Sequence, residues 1–362
     1  MKDNIVLIID SLEGGGAEKV TLRLAEIFLQ KNYNVTIITI ENNIDYYINK
    51  DIKVTSLNYK KSKKPELIQN IIYAYKLHKV LKSISNKKLI IGSLTLSNTF
   101  MNLINNMYNF YYILHVNITK SKIDTRTGIK RFVKKRQLEK LYNNKNIICV
   151  SKGVEKDILS LGVKPKSIQV IYNPFDSQEI RDKAKEEIDF LFPKDDYLVH
   201  VGRFAKQKRH DILIQAFSQI ENKTIKLVLV GQGKKKEIDK IKQLISDLNL
   251  EGRVIFAGFF KNPFPIIKNA KALVLSSNRE GFGNVIVEAL ILDVPVVSTD
   301  CLDGPNEILI GPLEQFLAKV DDPNDLANKI NLVLSTQITI DNHIIERFEA
   351  DKIFKQYLNL IE

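Results

Sequence analysis

Short runs of aliphatic residues recur along the chain and alternate with stretches in which apolar residues follow a helical spacing. The runs are nearly continuous rather than interleaved with polar residues, which is typical of parallel strands buried on both faces of a sheet. The spacing predicts helices over Ala17–Lys31 and Glu66–Ile84. The strands predicted in the first half are Ile5–Asp10, Val35–Ile40, Val54–Leu57, Leu89–Ser93, Tyr111–His115 and Ile147–Ser151.

The same alternation starts again after VIYNPFD, at Val170–Asp176, where Asn-Pro indicates a change of chain direction. Its predicted strands lie in YLVHVGRF, IKLVLVGQG, VIFAGF, ALVLSS and PVVST. A chain of 362 residues is also longer than one hydrophobic core usually serves. We therefore predict two α/β domains with parallel sheets, 1–175 and 176–344, followed by a helix over 345–362 whose apolar face must be buried.

The net charge of +12 is concentrated in the first half. Residues 1–175 hold 29 Lys and Arg against 13 Asp and Glu, a net of +16, and the remainder holds 25 against 29, a net of −4. Such a field favours anionic partners, namely nucleic acid, anionic lipid or phosphorylated substrates. An AT-rich genome, which favours Lys, Asn and Ile codons, is an alternative source of the total charge but explains its asymmetry less well.

Two further properties of the sequence bear on the cellular compartment. There is no run of 18 apolar residues, and the first apolar run reaches Asp10 too soon for a signal peptide. Cys149 and Cys301 are too few for a disulfide framework or a zinc cluster. We expect a cytoplasmic protein.

Gly14-Gly15-Gly16 follows the first predicted strand and precedes a helix. Backbone N–H groups at such a helix start attract anions, and glycine permits close approach. The spacing is neither that of a Rossmann fingerprint nor that of a P-loop. A phosphate-binding turn and a tight turn without a ligand both remain open.

The second half holds more candidate chemistry, at predicted strand ends where open α/β sheets bind ligands. Arg203 and Lys208 could together neutralise a diphosphate, although they could also be two solvated bases. The carboxylate of Glu280 precedes the turn Gly281-Phe282-Gly283-Asn284, whose N–H groups suit a phosphate or sugar oxygen. Glu288 lies on a largely apolar helix, where a carboxylate without a partner would be costly.

Several motifs in the same order resemble the family-4 retaining glycosyltransferases of GT-B fold. They are GGGAEK, YYILHVN, VSKG, IYNPFD, GRFAKQK, LVLVGQG, the pair Glu280-x7-Glu288 and STDCLDGPNEIL. The resemblance covers nearly the whole chain. It implies two Rossmann-like domains facing across a cleft, an acceptor side in 1–175, a nucleotide-sugar domain in 176–344, and a return of 345–362 to the first domain. Arg209 and Pro174 depart from the family pattern without removing a charged contact.

The resemblance also implies a role for each matching residue. Arg203 and Lys208 would bind the donor diphosphate and stabilise the leaving group, and Glu288 would hold the ribose. Glu280 and the N–H groups of 281–284 would hold the sugar. The remaining positions implied at the donor are Gly15, Gly16, Gly231, Gly258 and Phe259.

The resemblance implies a reaction that retains the anomeric configuration and needs no metal, and the sequence shows no Asp-x-Asp metal motif. His115 would contact the donor sugar as a hydrogen-bond partner, although a histidine at a strand end is more often structural. No cofactor is expected. The donor is a nucleotide sugar, with UDP favoured.

The expected acceptor is a saccharide, above all a polyprenyl-diphosphate-linked glycan of O-antigen, capsule or protein-glycan assembly. Residues 120–145 hold ten bases and two acids, and GIKRFVKKRQLEKLY predicts a basic amphipathic helix for an anionic membrane surface. A solvated helix covering its own domain is the alternative. A nucleotide-sugar epimerase, or a non-catalytic binding protein or partner subunit, remains an alternative function. Nucleic-acid binding is not expected, because no aromatic stacking platform accompanies the bases.

Overall fold

The computed structural model describes residues 2–124 and 126–361, so Thr125, within the predicted basic segment 120–145, lies outside the described residues, as do Met1 and Glu362. The chain forms two compact units. The first comprises Met1–Pro174 and Ala350–Glu362, and the second comprises Phe175–Glu349.

The first unit is built on a parallel sheet. Its strand order is β3-β2-β1-β4-β5-β6-β7. Aliphatic residues of the central strand β1 are fully buried, because helices cover both faces of the sheet. The strands are β1 (Asn4–Ile9), β2 (Asn34–Thr39), β3 (Lys53–Ser56), β4 (Lys87–Ser93), β5 (Phe110–Leu114), β6 (Asn146–Cys149) and β7 (Ser167–Val170).

Helices connect these strands, as the alternating pattern predicts. They are α1 (Gly16–Gln30), α2 (Glu66–Ser83), α3 (Thr95–Leu103), α4 (Gly128–Tyr142) and α5 (Lys152–Ser160). A short 3₁₀ turn covers Asn105–Met107, and a π-helical turn covers Thr119–Ile123.

The helix α4 forms where the basic sequence predicts it, but its apolar residues do not share one face. Leu138 and Tyr142, near its end, are buried. Ile129, Phe132 and Val133, near its start, are exposed, Ile129 by 82%. The prediction of a single apolar face is therefore wrong, because only the second half of α4 packs against its own unit.

The second unit repeats the architecture with a parallel sheet in the order β10-β9-β8-β11-β12-β13. Its strands are β8 (Tyr197–Val201), β9 (Lys226–Val230), β10 (Val254–Gly258), β11 (Ala272–Leu275), β12 (Val296–Thr299) and β13 (Leu317–Ala318). Its helices are α6 (Ser177–Lys183), α7 (His210–Gln219), α8 (Lys235–Asp247), α9 (Phe264–Lys268), α10 (Asn284–Ile291), α11 (Pro305–Ile308), α12 (Pro323–Ser335) and α13 (Asn342–Glu346). Two 3₁₀ turns cover Lys206–Lys208 and Gly311–Phe316.

The predicted C-terminal helix, 345–362, is interrupted in the structure. The helix α13 ends at Glu346, and the backbone N–H of Phe175 donates to the carbonyl of Phe348 at 2.9 Å. A β-bridge joins Phe175 to Glu349. This pairing with the start of the second unit takes the chain out of helical geometry.

The last helix, α14 (Ala350–Leu358), belongs to the first unit. The Phe354 ring meets that of Phe28, on α1, at a centroid distance of 5.4 Å, and Lys31 Nζ lies 2.7 Å from an Asp351 carboxylate oxygen. The return of the chain to the first unit is therefore confirmed for α14.

Candidate functional site

The candidate donor residues of the second unit lie in loops that follow β8, β9, β10 and β11. Because all four strands are parallel neighbours, their carboxyl ends meet at one edge of the sheet. Arg203 follows β8 and is exposed, and Gly231 follows β9. Gly258 ends β10, and Phe259 beside it is half exposed.

The structure brings Lys208 and Glu280 together, although 72 positions separate them. Lys208 Nζ donates to Glu280 Oε1 at 2.6 Å, and the Ser277 hydroxyl donates to the same oxygen at 2.5 Å. The two charged side chains are only 16% and 10% exposed. The Asn278 N–H also donates to the Gln207 carbonyl at 2.9 Å. The loops after β8 and β11 are therefore bound to each other through charged and backbone contacts.

The turn between Glu280 and α10 requires glycine. Gly283 has φ 96° and ψ 51°, a left-handed conformation, and it immediately precedes the first residue of α10, Asn284. The Phe282 side chain points into the core, where its ring meets that of Phe348 at 5.3 Å. Phe282 can therefore face a ligand only through its backbone, as can Gly281 and Gly283.

Glu288 lies one turn into α10. Its residue is 6% exposed, and its neighbours Ile286, Val287, Ala289 and Leu290 are fully buried. A carboxylate at such a position is retained only where hydrogen-bond donors or cations meet it. Glu288 is therefore not an ordinary solvated residue of a helix surface. Its burial at the carboxyl edge of the sheet agrees with a role in binding a polar group.

Gly231 lies where backbone segments approach each other closely. A Cβ built on it would fall 2.0 Å from the Gly202 carbonyl oxygen, so no side chain fits. Its N–H donates to the Gly258 carbonyl at 2.7 Å. The close packing of the backbone therefore requires glycine at this position, whether or not a ligand binds there.

Arg209 explains one departure from the family pattern. It adopts φ 46° and ψ 50°, a left-handed conformation that glycine adopts most readily. Its guanidinium contacts the carboxylates of Asp211, at 2.8 Å, and of Asp321. The hydrogen bonds to Asp211 raise the pKa of Arg209. The contacts with both carboxylates stabilise an arginine in a conformation that glycine would adopt with less strain.

A buried pair of histidines beneath these loops was not predicted. The His200 and His210 rings lie 4.6 Å apart, and Phe204 stacks on His210 at 4.3 Å. Burial lowers the pKa of His200 to about 4 and that of His210 to about 2. Both imidazoles are therefore neutral at pH 7. A histidine within a strand carries no sequence signal that distinguishes such packing from a ligand.

In the first unit, the glycine turn opens α1. Gly14 has φ +47°, Gly15 caps the helix, and Gly16 is its first residue. A Cβ on Gly15 would fall 2.0 Å from a Glu18 carboxylate oxygen. The chain's own carboxylate thus lies at the helix N-terminus, where the sequence leaves open either a phosphate-binding turn or a turn without a ligand. Any substrate anion must share this place with Glu18.

His115 follows β5 at the carboxyl edge of the first sheet. Its Nε2 lies 3.3 Å from the Ser93 hydroxyl oxygen, and burial lowers its pKa to about 4. A cavity of about 60 Å³ lies beside it, and its lining includes Lys122 and Lys134. Burial and the neighbouring charges of Arg126 and Lys122 lower the pKa of Lys134. A neutral imidazole and two lysines therefore meet at one small cavity.

Leu94 lines the same cavity in a strained conformation. Its φ of 74° and ψ of −178° fall in a region that is essentially restricted to glycine. The next residues form the start of α3, where the Asp10 carboxylate accepts from the Ser97 N–H at 2.7 Å and from its hydroxyl at 2.8 Å. This anchoring of α3 by the end of β1 holds Leu94 in place.

Two negative findings complete the geometry. Within residues 2–124 and 126–361, no three His, Cys, Asp or Glu side chains group as metal ligands would. The same residues contain no helix with the length and apolar character needed to cross a bilayer.

Each half of the chain matches a known family model. Residues 14–179 match the family model described as Glycosyltransferase Family 4, and residues 181–350 match that described as Glycosyl transferases group 1. The chain belongs to the family-4 glycosyltransferases of GT-B fold. The predicted family and fold class are therefore confirmed.

Two similar proteins have names that state a glycosyltransferase activity. An N-acetylgalactosamine-N,N'-diacetylbacillosaminyl-diphospho-undecaprenol 4-alpha-N-acetylgalactosaminyltransferase of Campylobacter jejuni is 28% identical over 358 residues, 98% of this chain and 92% of its own. A lipopolysaccharide 1,6-galactosyltransferase of Salmonella typhimurium is 28% identical over 224 residues, 59% of this chain and 60% of its own.

Solved structures share the fold of this glycosyltransferase. Anabaena HepE, crystallised with UDP and glucose, superposes with a TM-score of 0.77 at 19% identity over 99% of this chain and 98% of its own. Sucrose-phosphate synthase from Thermosynechococcus elongatus gives 0.79 at 20% identity over 99% and 98%. The named relatives are transferases, which does not favour the epimerase or the non-catalytic alternatives.

Proposed function

We propose that this glycosyltransferase moves a hexosyl or N-acetylhexosaminyl group from a UDP-sugar to a saccharide on a lipid-linked diphosphate. The observation that carries the donor side is the convergence of Arg203, Lys208, Glu280 and Glu288 on one edge of the second sheet. The choice of uridine is transferred from HepE, whose structure contains UDP.

Each donor residue has a proposed task that its position supports. Exposed Arg203 and the Nζ of Lys208 hold the diphosphate and stabilise the charge that grows on it as the bond breaks. Glu280, oriented by Lys208 and Ser277, holds the sugar together with the N–H groups of 281–284. Glu288 receives the ribose hydroxyls, and the base lies near Gly231, Gly258 and Phe259.

The proposed reaction retains the configuration at the anomeric carbon. The acceptor oxygen bonds to that carbon on the face that the diphosphate leaves, and the electron pair of the broken C–O bond stays on the phosphate. The acceptor proton passes to a phosphate oxygen. Two cationic side chains supply the charge stabilisation, so no metal ion is proposed. His115, neutral at pH 7, acts as a hydrogen-bond partner rather than as a base.

The proposed acceptor follows the relative from Campylobacter jejuni, whose name specifies a diphospho-undecaprenol glycan. Lys122 and Lys134, beside His115, are suited to its diphosphate. Gly15 and Gly16 contribute backbone N–H groups at the start of α1. The exposed apolar residues of α4, surrounded by bases, would face an anionic membrane from the cytoplasmic side.

A panel of nucleotide sugars tests the donor. The full chain is incubated with each, and release of nucleoside diphosphate is measured with and without a polyprenyl-diphosphate-linked saccharide. We expect release with a UDP-sugar and stimulation by the acceptor. No release and no thermal shift with any donor would refute the proposal. The matched control is the same saccharide without its lipid-linked diphosphate. Equal rates with both acceptors would refute the proposal that the acceptor is lipid-linked.

Two further measurements address the mechanism. The anomeric configuration of the product, read by NMR, is expected to equal that of the donor, and inversion would contradict the proposal. Turnover is expected to be unchanged by EDTA, whereas loss of turnover that Mg²⁺ or Mn²⁺ restores would show that a metal takes part.

A further inference from the structure

The loop after β8 also borders a cavity of about 430 Å³ in the second unit. Phe204 and Lys206 line this cavity from the loop, and Glu237, Lys240 and Leu244 line it from α8. We name it the α8 cavity. None of the described residues that line it is one of the donor residues assigned above. Its volume is typical of a site for a small molecule, and the donor site leaves it without a function.

Bases are concentrated around the α8 cavity, although the second half of the chain as a whole is acidic. Residues 203–240 hold ten Lys and Arg against four Asp and Glu, a net of +6, whereas the rest of 176–362 holds 15 against 25, a net of −10. The donor diphosphate is assigned only Arg203 and Lys208. The exposed lysines at 234–236, where α8 begins, and the lysines that line the cavity have no part in it. The local charge therefore favours a second anion.

The two lysines of the cavity are free to meet an anion, whereas its arginine is already engaged. Arg209 lines the cavity, but two aspartate carboxylates hold its guanidinium. Lys240 Nζ lies 3.6 Å from a Glu237 carboxylate oxygen, and because the lysine is 56% exposed this pair contributes little. Lys206 is exposed on the loop. Two flexible ammonium groups on different walls can therefore bind one phosphate together.

Besides these charges, the α8 cavity has an apolar part and one unsatisfied nitrogen. Phe204, Ile241 and Leu244 form the apolar part. Buried His210 lines the cavity as well, and its Nε2 has no hydrogen-bond partner among the described residues. Buried polar atoms are normally paired, so a ligand hydroxyl that reached this nitrogen would remove a cost. A ligand with a carbon skeleton and hydroxyl groups fits this lining better than a bare anion does.

We propose that the α8 cavity binds a phosphorylated sugar or polyol and that an occupied cavity changes the affinity of the donor site for UDP. The phosphate contacts Lys206 and Lys240, and the carbon skeleton lies against Phe204 and Leu244. No covalent step is involved. Binding to the cavity does not depend on the proposed transferase reaction, and only the effect on UDP rests on the donor assignment.

The 3₁₀ turn Lys206–Lys208 connects the two sites. Lys206, at its start, lines the cavity, and Lys208, at its end, forms the ion pair of the donor site. Asn278 also lines the cavity, and its N–H donates to the carbonyl of Gln207 in the same turn at 2.9 Å. A ligand that fixes or moves this turn therefore acts on the lysine that binds the diphosphate. By linkage, each ligand then changes the affinity of the other by the same factor.

Calorimetry with glycerol 3-phosphate, ribose 5-phosphate and glucose 6-phosphate tests binding with probes of increasing size. The matched controls are glycerol, ribose and glucose, which lack the phosphate, and inorganic phosphate, which lacks the carbon skeleton. We expect at least one phosphorylated probe to bind the full chain about tenfold or more tightly than its own control and than inorganic phosphate. No binding of any probe, or equal binding of inorganic phosphate, would overturn the proposal.

A double variant places the probe in the α8 cavity. Lys206→Gln/Lys240→Gln should weaken probe binding by about tenfold or more. Its control is Lys268→Gln/Lys271→Gln, which changes two exposed lysines of the second unit outside the cavity; Lys271 Nζ lies 3.4 Å from an Asp196 carboxylate oxygen, a pair similar to that of Lys240. The control should bind as the parent does. Parent-like binding by the folded cavity variant would refute the site.

Two single changes at the cavity wall should act in opposite directions. Glu237→Gln removes a carboxylate that competes for Lys240, so it should tighten probe binding by about twofold or more. Leu244→Trp fills the cavity without changing its charge and should abolish binding. Thermal melting establishes that each variant is folded. Weaker binding by Glu237→Gln, or parent-like binding by Leu244→Trp, would overturn the proposal.

Titration with UDP separates a second site from the donor site. The Kd of UDP should change by about fivefold or more in the presence of the probe and then reach a constant value as more probe is added. A Kd of UDP that keeps rising in proportion to the probe would show competition for one site and overturn the proposal, and an unchanged Kd would overturn the coupling. Lys208→Met should still bind the probe, and loss of that binding would place the probe at the donor site.

Discussion

Replacing Lys208 with methionine tests how one side chain serves both the fold and the transferase. In the structure its Nζ lies 2.6 Å from Glu280 Oε1, and both side chains are mostly buried. In the reaction the same charge would stabilise the leaving diphosphate. Loss of one such transition-state interaction lowers turnover by about 10²–10³-fold, or ~3 kcal/mol, so we expect kcat of Lys208→Met to fall by at least ~10²-fold.

The ion pair also predicts a loss of stability. Without Lys208, the Glu280 carboxylate keeps the Ser277 hydroxyl but loses its cation, which should lower the free energy of unfolding by ~1–3 kcal/mol. In Lys208→Met/Glu280→Gln the uncompensated charge is gone. The double variant should therefore be more stable than the sum of the single changes, with a coupling energy of ~1 kcal/mol or more. Its turnover should not recover.

Urea unfolding and the release of UDP from the UDP-sugar measure the two effects. The control is Lys226 with Asp195, whose charged atoms lie 3.5 Å apart, because Lys226 begins β9 at the opposite edge of the same sheet. Lys226→Met should leave kcat within ~2-fold, since surface pairs contribute little. Near-normal turnover of Lys208→Met, or strictly additive stabilities, would refute the reasoning.

Three further changes test other parts of the structure. Gly15→Val must displace the Glu18 carboxylate and should lower turnover more than UDP affinity, measured by calorimetry; the reverse order would make the turn a nucleotide site. Because the pKa values of His200 and His210 are lowered in the folded protein, the unfolded chain binds more protons below pH 6.5. The free energy of unfolding should therefore fall as the pH is lowered from 6.5 towards 4. A free energy of unfolding, measured with urea, that stays constant over this pH range would contradict this. Leu94→Gly should relieve ~1–3 kcal/mol of strain and keep or raise the melting temperature while lowering turnover; a lower melting temperature would argue against strain.

The sequence predicted the two parallel sheets because buried parallel strands have a distinctive aliphatic pattern. The strand predicted over Val54–Leu57, for example, is β3 over Lys53–Ser56. β7, Ser167–Val170, was missed because SIQV is short and half polar and precedes a turn signal. The break after α13 has no glycine or proline, so only its pairing with Phe175 reveals it.

Sequence motifs predicted which residues belong to the candidate site, but not how those residues contact each other. The resemblance named Lys208 and Glu280 separately, but contacts between distant loops cannot be inferred from spacing, and their ion pair was therefore missed. Phe282 illustrates a second limit, because an aromatic residue in a glycine-rich turn gives no sign that its ring packs inside on Phe348. The contacts of Ser277 and Glu18 were missed because a motif such as GGGAEK, which contains Glu18, does not show where a side chain points.

The pairing of Phe175 with Phe348 and Glu349 has a consequence for the evolution of this architecture. The second unit begins and ends at residues that touch, so its two ends lie side by side where the chain continues at Ala350. A unit with adjacent ends can be exchanged for another without moving the points where the chain leaves and re-enters the first unit. With the donor assigned to the second unit as proposed above, such an exchange would replace the donor site and leave the first unit with its α14 unchanged.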